Sequence, residues 1–313
     1  MPRFLIAGAG AIGGYIGALM ARAGQDVTLF ARGAHLKAME ERGLRVLSAE
    51  GDFEVHPKVI GDLAGSGPFD VIVLGVKAHG LTPLAPHLKP LIGPDTTVVS
   101  TQNGIPWWYT HLERVDPGGI IAASIDPARV VGSLVYLGTE IAEPGIIRHT
   151  EGNRISLGEP DGTRTERCKT IAQAFIAAGL RCPVTTRIRH EIWVKLLGNV
   201  AFNPISALTR ATLAGMTRDA DIRGVVRNIM AEVEAVANKL GVEIPISIEQ
   251  RIAGAEKVGE HKTSMLQDLE AGRPIEIEPV VGAAVELGEQ LGIAMPHTRT
   301  VYACAKLLAA RAQ

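Results

Sequence analysis

Near its start the chain runs Phe4-Leu5-Ile6-Ala7, then Gly8-Ala9-Gly10-Ala11-Ile12-Gly13, then a helix-like stretch from Tyr15 to Ala23. A short apolar strand, a G-x-G-x-x-G turn and a helix in that order mark a dinucleotide-binding βαβ unit. A continuous apolar strand also implies a sheet covered on both faces. Gly8 is expected to allow the tight turn and Gly10 to let the backbone approach a pyrophosphate. Gly13 is expected to let helix and strand pack closely. Ala9, Ala11 and Ile12 complete the loop, and free N–H groups at the helix start attract phosphate. The uncharged run from Phe4 to Ala21 also has the length of a signal peptide or membrane span. Its five glycines make it a poor apolar helix, and no second apolar span follows.

The next strand-like run, Asp26 to Ala31, sharpens the cofactor expectation. NAD-binding folds place Asp or Glu at the end of this strand to hold the ribose 2′-OH. Here Arg32 stands there, followed by Gly33. A cation at that point suits a 2′-phosphate, so NADPH/NADP is expected rather than NAD.

Bulk properties exclude several classes. At 313 residues the chain is long enough for two cores, and its net charge of −1 gives no general attraction to nucleic acid or membrane. The three cysteines, Cys168, Cys182 and Cys304, lack metal-site spacing, and reduced thiols in a cytoplasmic protein are expected. No metal is expected.

The first part of the chain alternates strand and helix patterns. Phe69 to Val76 is a continuous apolar strand followed by Lys77, and Thr96 to Ser100 is another, followed by Thr101-Gln102-Asn103-Gly104. Ligands of open α/β sheets bind outside the carboxyl ends of the strands, which places the glycine loop, Arg32, Lys77 and Asn103 along one rim. Val130 to Gly158 is strand-rich, with turns expected at Glu143-Pro144-Gly145 and Glu151-Gly152-Asn153. Thr163 to Ala178 reads as a helix, Arg181 to Val184 as a last strand, and the remainder as helices. The expected fold is therefore α/β, a Rossmann-type domain over 1–186 followed by an all-α domain over 187–313.

The helix expected from Arg187 to about Phe202 carries Lys195, Asn199 and Asn203 at i, i+4 and i+8, on one face among apolar and small residues. Buried, such a lysine has a lowered pKa and serves as an acid or base near neutral pH. Glu191, four residues earlier, offers instead an exposed ion pair with Lys195. Ser264 and Gln267 have capping-box spacing, and the same helix start could bind a carboxylate. Glu276 and Glu278 precede a further helix, where acidic side chains favour the dipole.

Taken together these motifs resemble the ketopantoate reductase (2-dehydropantoate 2-reductase) family. The resemblance rests on the glycine loop, Val76-Lys77-Ala78, Gln102-Asn103-Gly104, and Glu143-Pro144-Gly145 leading to His149. It continues through Glu191 to Leu196, Asn199, Asn203-Pro204, Ser264 to Asp268, and Ile275 to Glu278. It implies NADPH-dependent reduction of ketopantoate to pantoate, as in pantothenate biosynthesis, by a possible homodimer. Lys195 would protonate the carbonyl oxygen, with Glu276 near it and the nicotinamide. Asn199, Asn203 and Ser264 would hold the substrate, Lys77 and Asn103 would contact the cofactor, and Arg32 would hold its 2′-phosphate. The family has a further asparagine beyond the Asn-Pro pair, whereas Thr209 to Ala214 contains none. Trp107-Trp108-Tyr109 forms an aromatic insert beside the rim. The alternatives are reduction of another small branched 2-oxo acid and a non-catalytic NADP-binding redox sensor.

Overall fold

A computed structural model describes residues 1–311. It divides into two compact units, one of Met1–Gln102 with Gly118–Ile188, the other of Asn103–Pro117 with Arg189 onward. The sequence places one boundary near residue 186. The structure differs in assigning Asn103–Pro117 to the helical unit, because the partners of that segment lie there.

The first unit is built on β1 (Phe4–Ala7), α1 (Ala11–Arg22), β2 (Val27–Phe30), α2 (Gly33–Arg42), β3 (Leu44–Ser48), β4 (Phe53–Val55), β5 (Lys58–Ile60), β6 (Phe69–Leu74) and α3 (Ala78–Leu88). It continues with β7 (Ile92–Ser100), α4 (Ile120–Ser124), β8 (Val130–Glu143), β9 (Ile146–Gly158) and α5 (Glu166–Ala177). One sheet of nine strands has the order β4-β3-β9-β8-β7-β6-β1-β2-β5. From β5 to β8 neighbouring strands are parallel, and β8 and β9 form a long antiparallel hairpin. The chain passes from β1 to β2 on one side and reaches β6 on the other, so β1 marks the switch point where such sheets bind ligands. All four residues of β1 are buried, as a strand covered on both faces must be.

Two local expectations are corrected. Glu151-Gly152-Asn153 lies inside β9, where Gly152 has φ +75° and the pairing with β8 slips. From Tyr136 to Gly138 the hairpin advances two residues on β8 but three on β9, which is a bulge rather than a turn. Arg181 to Val184 forms only isolated bridges to β9, because Pro183 has no N–H to continue a ladder.

Three glycines let backbones cross beside β1. A methyl group on Gly13 would lie 2.2 Å from the Gly8 carbonyl oxygen, and one on Gly75 would lie 2.4 Å from the same atom. Gly8 itself has φ +111°. Gly10, at the amino end of α1, has nothing within 4 Å of the corresponding position.

The second unit contains α6 (Ile188–Thr209, its first residue grouped with the first unit), α7 (Leu213–Arg218), α8 (Ala220–Lys239), α9 (Ile248–Val258), α10 (Ser264–Glu270), a π-helical turn (Glu278–Gly282), α11 (Ala283–Gln290) and α12 (Pro296–Arg311). The α6 helix runs through Pro204, beyond the stop expected near Phe202. Its core face carries Trp193, Leu196, Leu197 and Val200, each at most 1% exposed. Burying one such side chain contributes about 1.5–3 kcal/mol. Among the described residues no helix is long and apolar enough to cross a membrane.

The glycine crossing separates two substitutions. Gly13→Ala forces an added carbon against a backbone oxygen and is expected to destabilise by about 3 kcal/mol. Gly10→Ala meets open space and is expected to cost less than about 1 kcal/mol. Urea unfolding of both variants checks this, and equal losses would contradict it.

Candidate active site

The glycine loop leads from β1 into α1. Gly10 is its N-cap in extended conformation, with no side chain occupying the helix end. The space above Gly10 and the twelve-residue helix behind it suit a pyrophosphate. At the end of β2, Arg32 is exposed and caps α2, its guanidinium 5.2 Å from the Phe30 ring centroid. Phe30, Arg32, the Gly61–Gly65 loop, Leu84 and His87 border an open cavity of about 320 Å³. Lys77 is half-buried at the amino end of α3. The Gln102 amide fixes the chain leading to it by donating to the Leu74 and Val76 carbonyls, both at 2.9 Å. These features occupy the carboxyl rim of the first sheet and fit a dinucleotide.

In the second unit α6 presents Lys195 and Asn199 half-buried and Asn203 buried, on one face as the spacing predicts. The Lys195 ammonium donates to Asn103 Oδ1 at 2.8 Å. Burial lowers its pKa to about 8, although the negative charge of Glu276 opposes the shift. A lysine in this state exchanges a proton near neutral pH, which an exposed one does not. Arg251 flanks the same face, packed so closely that a methyl on Gly198 would lie 2.2 Å from its Nη2.

Asn103 reaches Lys195 because its segment is anchored on helical-unit residues. Gly104 has φ +90°, and a methyl there would lie 2.1 Å from the Pro279 carbonyl oxygen. The Ile105 N–H donates to that same oxygen at 3.1 Å. Further along, Trp193 Nε1 donates to the Tyr109 hydroxyl at 2.8 Å, and Arg189 donates to the Tyr109 carbonyl at 3.1 Å. Trp107, Trp108 and Tyr109 are all buried. Tyr109 ties this aromatic stretch to α6 through Trp193 and Arg189, and the Arg189 guanidinium also lies 5.8 Å from the Trp108 ring centroid. Trp193 sits about 200° around the helix from Lys195.

The capping expectation at Ser264 is corrected. Thr263 is the N-cap of α10, its hydroxyl accepting from the Leu266 N–H at 3.3 Å. Gln267 donates to the Lys262 carbonyl instead of closing a box on Ser264. Ser264 is the first helical residue and is exposed. The reciprocal box lies at Ser247 and Gln250, on α9.

Comparison with known proteins places this architecture. The family model "Ketopantoate reductase PanE/ApbA" matches residues 4–162, and its C-terminal companion matches residues 187–309. The chain belongs to the ketopantoate reductase family. Membership makes it an oxidoreductase acting on a CH–OH/C=O pair. The 2-dehydropantoate 2-reductase of Mesorhizobium japonicum is 48% identical over 98% of both chains. A crystal structure of 2-dehydropantoate 2-reductase from Methylococcus capsulatus aligns with TM-score 0.87 at 34% identity, covering 99% of this chain and 98% of that one. A family ketopantoate reductase from Ralstonia eutropha JMP134 aligns with TM-score 0.88 at 30% identity, covering 99% of each.

Gly75, Arg251 and the Pro279 carbonyl escaped the reading of the sequence. Gly75 has a local signal, since it closes the apolar strand before Lys77. The other two depend on packing between distant segments.

Thr263 and Ser264 are separable by substitution. Thr263→Ala removes the cap and is expected to cost about 1 kcal/mol of stability. Ser264→Ala is expected to leave stability within about 0.5 kcal/mol. Thermal unfolding of the two variants decides, and the reverse ranking would restore Ser264 as the cap.

Proposed function

We propose that the chain reduces 2-dehydropantoate to pantoate with NADPH. The observation that carries this reading is the half-buried Lys195, with pKa about 8, bonded to Asn103 and sharing its helix face with Asn199 and Asn203. In a member of this family, such a lysine has the properties required of the general acid. When bound, the dihydronicotinamide supplies the hydride for the ketone carbon. The carbonyl electron pair moves to oxygen, and Lys195 gives that oxygen its proton. Its positive charge stabilises the alkoxide as it forms. Glu276 keeps the lysine partly charged despite burial. Asn199 and Asn203 hold the substrate's polar groups, and Ser264 binds its carboxylate.

In the cofactor half, the glycine loop from Gly8 to Gly13 holds the pyrophosphate, Lys77 and Asn103 contact the dinucleotide, and Arg32 binds the 2′-phosphate. A charge-assisted contact of that kind contributes about 1.5–3 kcal/mol. NADPH is therefore expected to bind about ten- to a hundredfold more tightly than NADH, and Arg32→Asp to erase the difference.

One observation favours a second substrate. The stretch without the family's asparagine forms a tight turn between α6 and α7, with Arg210 at φ +64°. Another small branched 2-oxo acid is the alternative there. A panel of 2-oxo acids, followed by NADPH absorbance, tests the reading. 2-Dehydropantoate is expected to give the highest kcat/KM, and no oxidation with any keto acid would overturn it.

The lysine makes a separate prediction. The acid must be protonated, so kcat/KM is expected to fall as pH rises through about 8. Lys195→Ala is expected to lower kcat by about 10²–10⁴. Near-native turnover in that variant would remove Lys195 from the mechanism.

A further inference from the structure

Within the second unit a cluster of charged side chains surrounds the π-helical turn. Arg114 Nη1 donates to Glu278 Oε2 at 3.0 Å and also to the Tyr302 hydroxyl. That hydroxyl donates to the same Glu278 oxygen at 2.7 Å. Lys306 Nζ lies 3.3 Å from Glu278 Oε1. The Arg114 and Glu113 N–H groups donate to the two oxygens of Glu286, at 3.0 and 2.7 Å. The cluster closes over Gly282, where a methyl would lie 2.6 Å from Glu278 Oε2 and 3.0 Å from Arg114 Cδ. Burial would raise the Glu278 carboxyl, but its bonds to Tyr302 and Arg114 and the charge of Lys306 bring it below its usual range. Glu278 therefore stays ionised at neutral pH, as the bonds require.

Two features connect this cluster to Lys195. Glu278 is followed by Pro279, whose carbonyl receives Ile105 and abuts Gly104, next to Asn103. Arg114 lies on the same segment as Asn103, so Arg114–Glu278 and Ile105–Pro279 fasten that segment at two points on one turn. Glu276, whose charge acts on Lys195, is two residues before Glu278. Asn103 and Glu276, on separate stretches of chain, are thus held from one frame.

We propose that Arg114, Glu278 and Tyr302 are positioning residues for the reduction, holding Asn103 and Glu276 in place around Lys195. This rests on the reading of Lys195 as the acid. The cluster itself need not touch substrate or cofactor. Its reach is geometric: a hydrogen bond at 2.8 Å weakens steeply when its acceptor shifts or turns.

Stopped-flow kinetics of a single turnover, with one equivalent of NADPH per enzyme site and saturating 2-dehydropantoate, tests the proposal. Arg114→Met and Glu278→Gln are each expected to lower the rate constant of NADPH oxidation about tenfold, with the amplitude unchanged. Arg114→Lys is expected to recover part of the rate. A purely structural role would lower the amplitude, by leaving fewer folded molecules, and spare the rate constant. Tyr302→Phe removes a single hydroxyl and serves if either charge variant does not fold, with a slower rate again expected. Rate constants within twofold of the parent in the folded variants overturn the proposal and leave Lys195 as the acid. Absence of keto-acid-dependent oxidation in the unaltered protein overturns both.

Discussion

An ammonium group taken out of water loses hydration worth several kcal/mol unless other groups replace it. At Lys195 the replacement comes from stretches far apart in the chain: the Asn103 amide oxygen accepts a hydrogen bond from the ammonium, and Glu276 supplies opposing charge. Removing the water brings the lysine's titration down towards neutral pH, and the charge of Glu276 keeps it from falling further. Much of the second unit can be understood from this balance. Trp193 and Leu197 bury the far side of α6 and fix its rotation, so that the Lys195 face is presented. The segment from Asn103 is locked by a carbonyl, a tyrosine and an arginine so that a short amide side chain reaches the amine.

The sheet and the nucleotide loop were legible because their signals are local. Strand, glycines and helix follow one another within about twenty residues, and Gly13 is closed in by Gly8 and Ile6 just before it, although the crowding at Gly8 comes from distant Gly75 and Val76. The row Lys195, Asn199 and Asn203 was legible for a similar reason, since helical periodicity alone puts them on one face. The company Asn103 keeps was not. Its sequence position, just past a strand end, argues for the sheet rim but says nothing of Lys195, and the contacts of Gly104 and Ile105 with Pro279 that hold it beside that amine come from a segment some 175 residues away. The shift of the cap from Ser264 to Thr263 shows a finer limit. Both hydroxyls can cap, and the choice between adjacent residues turns on where extended backbone gives way to helix.

The two ends of the proposed cofactor are treated differently by the fold. Around the proposed pyrophosphate site the backbone would do the work, and the crossing at Gly8, Gly13 and Gly75 admits no side chain. At the proposed ribose end the work would fall to an exposed side chain, Arg32, at the edge of an open cavity. The first arrangement is tied to the core of the sheet and cannot change without disturbing it. The second is a surface residue whose replacement disturbs little, so on the proposed reading cofactor preference could drift while the fold stays fixed.

The discontinuity of the second unit has a consequence for how the protein is made. Trp107 and Trp108 emerge during synthesis some eighty-five residues before Trp193, whose indole bonds the adjacent Tyr109. At about 5–20 residues per second, the two indoles wait roughly 4–17 seconds without their native cover. The β8–β9 hairpin and α5 of the first unit are made in that interval, with an unsheltered aromatic loop on the growing chain. The nascent polypeptide thus passes through a stage in which one nearly finished core coexists with an apolar segment belonging to another.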